Sequence, residues 1–116
     1  VAQADMLVIA APYWDMSFPS SLKIFFEAAS VDGITFTYAE DGTPIGLCAA
    51  QDMYYVTTSG GYIGDCNFGF EYANALCRLY GVQNTHFVSA QGLDLDGADV
   101  QAIMEEACSG EILNLS

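Results

Sequence analysis

The run Met6-Leu7-Val8-Ile9-Ala10-Ala11, closed by Pro12, constrains the fold more than any other stretch of this chain. Six successive apolar residues predict a strand buried on both faces, as in parallel sheets with helices on either side. Pro12 has no N–H to offer a sheet ladder and ends the strand. The loop Tyr13-Trp14-Asp15-Met16-Ser17-Phe18 follows. A helix comes next, with Pro19 near its first turn and Leu22, Phe25, Phe26 and Ala29 spaced for one buried face.

Gly33 closes that unit. Ile34 to Tyr38 alternates at period two, and Glu40-Asp41-Gly42-Thr43 is a turn signal, so a hairpin reaching toward Ile45 and Leu47 is expected. A second buried strand reads from Met53 to Thr57. The Gly-rich loop Thr58-Ser59-Gly60-Gly61-Tyr62-Ile63-Gly64 leads to a helix from about Phe68 to Tyr80, stopped by Gly81. A third strand spans about Thr85 to Ala90. An acidic loop from Gly92 to Gly97 precedes a last helix from Ala98 to Ala107.

The order β-α-hairpin-β-α-β-α implies an α/β fold, a parallel sheet layered between helices. The length suits one domain over residues 1–116 and not two. Three core strands are few for such a domain and leave apolar edges open. Together with the start at Val1, in mid-pattern, this leads to the expectation that the chain is the C-terminal portion of a larger domain whose N-terminal strands lie outside it.

Charge narrows the function. Two basic residues, Lys23 and Arg78, face 15 acidic ones, for a net charge of −13. Such a chain has no basic footprint for nucleic acid and no attraction to an anionic membrane surface. No apolar run approaches the roughly 18 residues of a membrane span. An anionic ligand would have to be held by backbone N–H groups more than by cations. The four cysteines, Cys48, Cys66, Cys77 and Cys108, form no C-x-x-C pair and have no histidine cluster beside them, so no metal site is expected and the thiols read as reduced and packed. His86, the one histidine, reads as structural.

In open α/β sheets, ligands bind beyond the C-terminal ends of the strands. Two loops there have unusual composition. Pro12-Tyr13-Trp14-Asp15-Met16 carries two large aromatics, where a mere connection is usually small and polar. These side chains suit a flat, partly apolar ring; they equally suit packing on the neighbouring hairpin. Thr58-Ser59-Gly60-Gly61 combines hydroxyls with glycines, which let a backbone approach a ligand closely; an ordinary βα turn has the same look. The pair matches neither G-x-G-x-x-G nor the P-loop. No residue emerges as catalytic.

Three segments in order resemble one family. Val8 to Lys23, with Ala10-Ala11-Pro12-Tyr13-Trp14-Asp15-Met16-Ser17-Phe18 at its centre, resembles the I-A-A-P-M-Y-N-F segment of FMN-dependent NADH azoreductases and NAD(P)H quinone oxidoreductases. Gly33-Ile34-Thr35-Phe36-Thr37-Tyr38 with Gly46-Leu47 is similar to their G-V-T-F-x-Y hairpin. Val56-Thr57-Thr58-Ser59-Gly60-Gly61 is similar to their T-[ST]-x-G-G loop. The resemblance implies a flavodoxin-like fold, bound FMN, a cytoplasmic homodimer, and hydride transfer from NAD(P)H through flavin N5 to a quinone or azo compound. It implies that Pro12, Tyr13, Trp14, Asp15 and Met16 line the isoalloxazine ring and that Thr58, Ser59, Gly60 and Gly61 meet its pyrimidine edge, with Tyr62 a weaker extension. Asp15 stands where many relatives carry Asn, and Ile63 where azoreductases often carry His. The family's Ser-rich phosphate loop has no counterpart here, so weak FMN binding at best, and no activity, is expected of the chain alone. A cofactor-free or electron-carrying flavodoxin-like module is the alternative, since strong acidity suits docking on basic partners.

Overall fold

A computed structural model describes residues 1–109 of the chain. Its elements follow the expected order: β1 (Leu7–Ala10), α1 (Ser20–Ala29), β2 (Phe36–Tyr38), β3 (Pro44–Gly46), β4 (Asp52–Thr58), α2 (Phe68–Leu79), β5 (Asn84–Ala90) and α3 (Val100–Cys108). The main sheet is parallel, in the order β1-β4-β5; β2 and β3 form a separate antiparallel pair. Register sets the faces of the sheet. Leu7 lies opposite Met53, Ile9 opposite Tyr55, and Tyr55 opposite Phe87, so these side chains share one side. That side carries the core, where Met53 and Tyr55 pack with Phe26 of α1 and Ala73 and Cys77 of α2. Phe18 meets Phe26 and Tyr72 edge to face at 5.7 and 5.8 Å, and Phe26 meets Tyr72 at a tilt at 5.9 Å, so aromatic contacts tie α1 to α2.

The opposite side is thinly covered. There α3 packs on β5, with none of its own residues fully buried. This corrects the expectation for β1. Its residues alternate between half-buried and exposed, and Val8 is 58% exposed. The run is apolar on both sides, but β1 is the sheet edge, and α3 lies over the far strand. Phe25 corrects the expected face of α1 in the same way. It is 53% exposed, whereas Phe26 is buried, so the core-facing stripe centres on Phe26 and leaves Phe25 beside the open edge of β1. Pro19 caps α1 from just outside it.

The hairpin is shorter than its alternating pattern suggests. Ile34 and Leu47 are exposed and lie outside the paired strands. Its packing is set by backbone, since a Cβ on Gly46 would collide with the Gly81 main chain. Gly81, at φ +90°, ends α2 in a Schellman motif: its N–H donates to the Arg78 carbonyl and that of Val82 to Cys77. His86 lies within β5, stacked on Tyr54 at 4.3 Å, with Nε2 3.2 Å from Asp52 Oδ1. No helix among the described residues is long and apolar enough to cross a membrane.

Candidate functional site

The three parallel strands end together, and the loops leaving them are laced by main-chain hydrogen bonds. After β1, the Ala11 and Tyr13 amides donate to the carbonyls of Val56 and Thr58 at 3.0 and 3.1 Å, so this loop continues along β4. After β4, the Ser59 amide donates to Ala90 at 2.9 Å. After β5, the amides of Gly92, Leu93 and Asp94 donate back to the carbonyls of Gly61, Ser59 and Gly60 at 3.0, 3.2 and 2.9 Å. The result is a cavity of about 320 Å³ lined by Pro12, Tyr13, Trp14, Thr58, Ser59, Gly60, Leu93 and Asp94. That volume lies at the small end of the range for ligand pockets, about 300–1,000 Å³.

The first loop is strained. Asp15 and Met16 have φ of 51° and 68°, and Trp14 and Ser17 exchange two main-chain hydrogen bonds of 3.0 Å across them. Two central residues at positive φ follow the type I′ hairpin pattern, for which Asn-Gly is favoured. Asp tolerates this region; Met does so at a cost of about 1 kcal/mol or more. Surrounding bonds hold the turn in place. The Met16 carbonyl accepts the Phe68 N–H of α2, and Tyr13 Oη donates to the Cys66 carbonyl at 2.8 Å. Desolvation, with Cys66 adding to it, raises the Tyr13 phenol above its ordinary range.

Trp14 is not tucked onto the hairpin: it stands 61% exposed, with Met16 at 50%. These two apolar side chains project from a rigid turn at the strand ends. In the second loop, Ser59 is buried and its hydroxyl donates to the Gly61 carbonyl at 2.7 Å. The amides of Gly60 and Gly61 donate to no group among the described residues. Unused N–H donors beside an aromatic wall suit a planar ligand with polar carbonyl edges.

The structure thus brings Pro12, Tyr13, Trp14, Thr58, Ser59 and Gly60 into one lining. Asp15, Met16 and Gly61 adjoin it without lining it. Leu93 and Asp94 complete the lining, and the sequence reading passed over them. Their position after the third strand was the available signal, since every strand's C-terminal end borders such a site.

No cation lines the cavity. Lys23 pairs with Glu27 on exposed α1 at 3.3 Å, and Arg78 lies in the last turn of α2, away from the strand ends. Cys77 is buried in the core, and loss of hydration pushes its thiol up to about 11, so it stays protonated. Among the described residues no group of three or more His, Cys, Asp and Glu is placed to hold a metal.

Comparison with known proteins agrees with the architecture. Residues 1–110 match a protein family described by its flavodoxin-like fold. The chain is 35% identical to an FMN-dependent NADH:quinone oxidoreductase of Coprothermobacter proteolyticus, covering 91% of this chain and 55% of the relative. It is 34% identical to the Clostridium beijerinckii enzyme of the same name, covering 91% and 54%. Among solved structures, an azoreductase from Bacillus anthracis str. Sterne superposes with a TM-score of 0.76 at 25% identity, over 90% of this chain and 54% of that one. An FMN-dependent NADH-azoreductase from Bacillus anthracis str. Ames Ancestor, in complex with FMN, has the same fold, with a TM-score of 0.77 at 24% identity over 90% and 51%. The chain spans about half the length of the curated relatives it matches. On these grounds the chain belongs to the flavodoxin-like fold family over residues 1–110.

Proposed function

We propose that this chain furnishes the ring-binding part of an FMN site in an oxidoreductase. The enzyme would carry electrons from NAD(P)H to a quinone or azo compound and work as a cytoplasmic homodimer. The observation that carries this reading is the convergence of the Pro12–Trp14 and Thr58–Gly60 loops on one cavity at the strand ends, with unused amides at Gly60 and Gly61. The relatives' names, FMN-dependent NADH:quinone oxidoreductase and azoreductase, support it.

The residues present fit the isoalloxazine ring. Trp14 and Met16 supply apolar surface on a turn too constrained to collapse. Tyr13, tied to Cys66, fixes the floor of the loop. The Gly60 and Gly61 amides offer hydrogen bonds to ring carbonyls. The lining holds no cation to pair with a phosphate, so an anionic group there would rest on backbone amides alone. FMN, when bound, would supply the redox chemistry by accepting hydride at its ring and passing the electrons on. The chain's own contribution is to hold the ring in one plane and leave a face open for donor and acceptor in turn.

The test is made on the full-length polypeptide that carries this chain, supplied with FMN. The reading expects a visible flavin band near about 450 nm that bleaches with NADH in the absence of oxygen. A protein that takes up no FMN contradicts it. Uptake without bleaching favours an electron carrier over a reductase.

A further inference from the structure

We infer that Asp94 recognises the imide edge of the bound ring and selects for flavins that carry a hydrogen at N3. The inference rests on the flavin reading above and deepens it. The Gly92, Leu93 and Asp94 amides form three successive hydrogen bonds onto the Gly-rich loop, which places the Asp94 side chain against Gly60. The approach is so close that a Cβ on Gly60 would collide with Asp94 Oδ2. The Asp94 carboxylate therefore borders the cavity alongside the unused Gly60 N–H, and it accepts no hydrogen bond from the described residues.

The edge so formed presents amide donors together with a carboxylate acceptor. The pyrimidine end of an isoalloxazine presents two carbonyl acceptors flanking one N–H. Backbone amides alone can meet only the carbonyls; the ring N–H needs an acceptor, and Asp94 supplies the carboxylate of the lining. A charged acceptor makes a stronger and shorter hydrogen bond than a neutral one. The anion also explains how this chain can favour a ring without favouring a phosphate.

Lumiflavin and 3-methyllumiflavin provide the probe. Both are neutral and lack phosphate, and they differ at N3. Titrated into the 116-residue chain, lumiflavin is expected to bind on the order of tenfold more tightly, the ratio set by a lost hydrogen bond to a charged group. Asp94→Ala is expected to bring the ratio to about one, mainly by weakening lumiflavin, while Asp94→Asn, which keeps a carbonyl acceptor, retains part of it. Near-UV circular dichroism checks that each variant is folded. If the Asp94→Ala protein still discriminates against the methylated ring, the inference is wrong and the flavin reading stands. If the parent chain binds both flavins equally, the inference also fails. If it binds neither at millimolar concentration, the inference fails, and the flavin reading is decided separately by FMN uptake of the full-length polypeptide.

Discussion

The carbonyl of Met16 accepts the N–H of Phe68 at 3.1 Å, so the strained turn after β1 caps the helix that follows β4. The Asn67 side chain makes no capping bond of its own. Turn and helix therefore support each other, and this bond is one of those that hold two non-glycine residues at positive φ.

Met16→Gly separates strain from function. Glycine keeps the carbonyl and relieves the backbone, so the variant is expected to be more stable by about 1 kcal/mol. It also removes apolar surface beside the cavity. Chemical denaturation should report the gain, and a lumiflavin titration should report weaker binding.

Gly60→Ala and Gly61→Ala make a matched pair. A methyl at Gly61 meets nothing within 4 Å, whereas one at Gly60 meets the Asp94 carboxylate. The far end of Asp94 can swing away, so Gly60→Ala is expected to lower stability by less than about 1 kcal/mol. Its main effect would be lost discrimination between lumiflavin and 3-methyllumiflavin. Gly61→Ala should leave stability and discrimination near those of the parent chain.

Alkaline stability should depend on Cys77. Burial raises its thiol from 9.0 to about 11 in the folded protein. The unfolded chain therefore releases its proton first, and the thiol's contribution to stability is intact below pH 9 and lost as the pH climbs toward 11. Burial raises Cys48, Tyr55 and Tyr80 in the same direction. Denaturation midpoints measured from pH 8 to 11 should fall for the parent chain and fall less steeply for Cys77→Ala.

Adjacent phenylalanines on α1 should differ sharply. Phe26→Ala empties a core position in contact with Phe18 and Tyr72 and should cost about 3 kcal/mol or more. Phe25→Ala, at an exposed position, should cost less than about 1 kcal/mol. Equal losses would mean that the helix lies on its other face.

Element order and the two loops that meet at the strand ends were legible because strand runs, glycine stops and loop composition are local signals. Gly81 ends α2 as expected, and the C-terminal loops of β1 and β4 do meet. The exposure of Val8 and Phe25 was not legible, because burial depends on which element covers a surface, and α3 covers β5 instead of β1. Neither was the placement of the Asp94 loop, whose position beside Gly60 arises from hydrogen bonds between segments over 30 residues apart. The positive φ of Met16 was equally hidden, since its side chain gives no hint of a conformation imposed by Phe68.

The central claim is that the ends of β1 and β4 form one ring-binding site. Its most direct test is an amide-resolved NMR titration of the chain with lumiflavin. The account predicts shifts concentrated at Tyr13 to Met16, Thr58 to Gly61, and Asp94, with the Gly60 and Gly61 amides moving furthest. Shifts centred elsewhere, or none at millimolar lumiflavin, would contradict it.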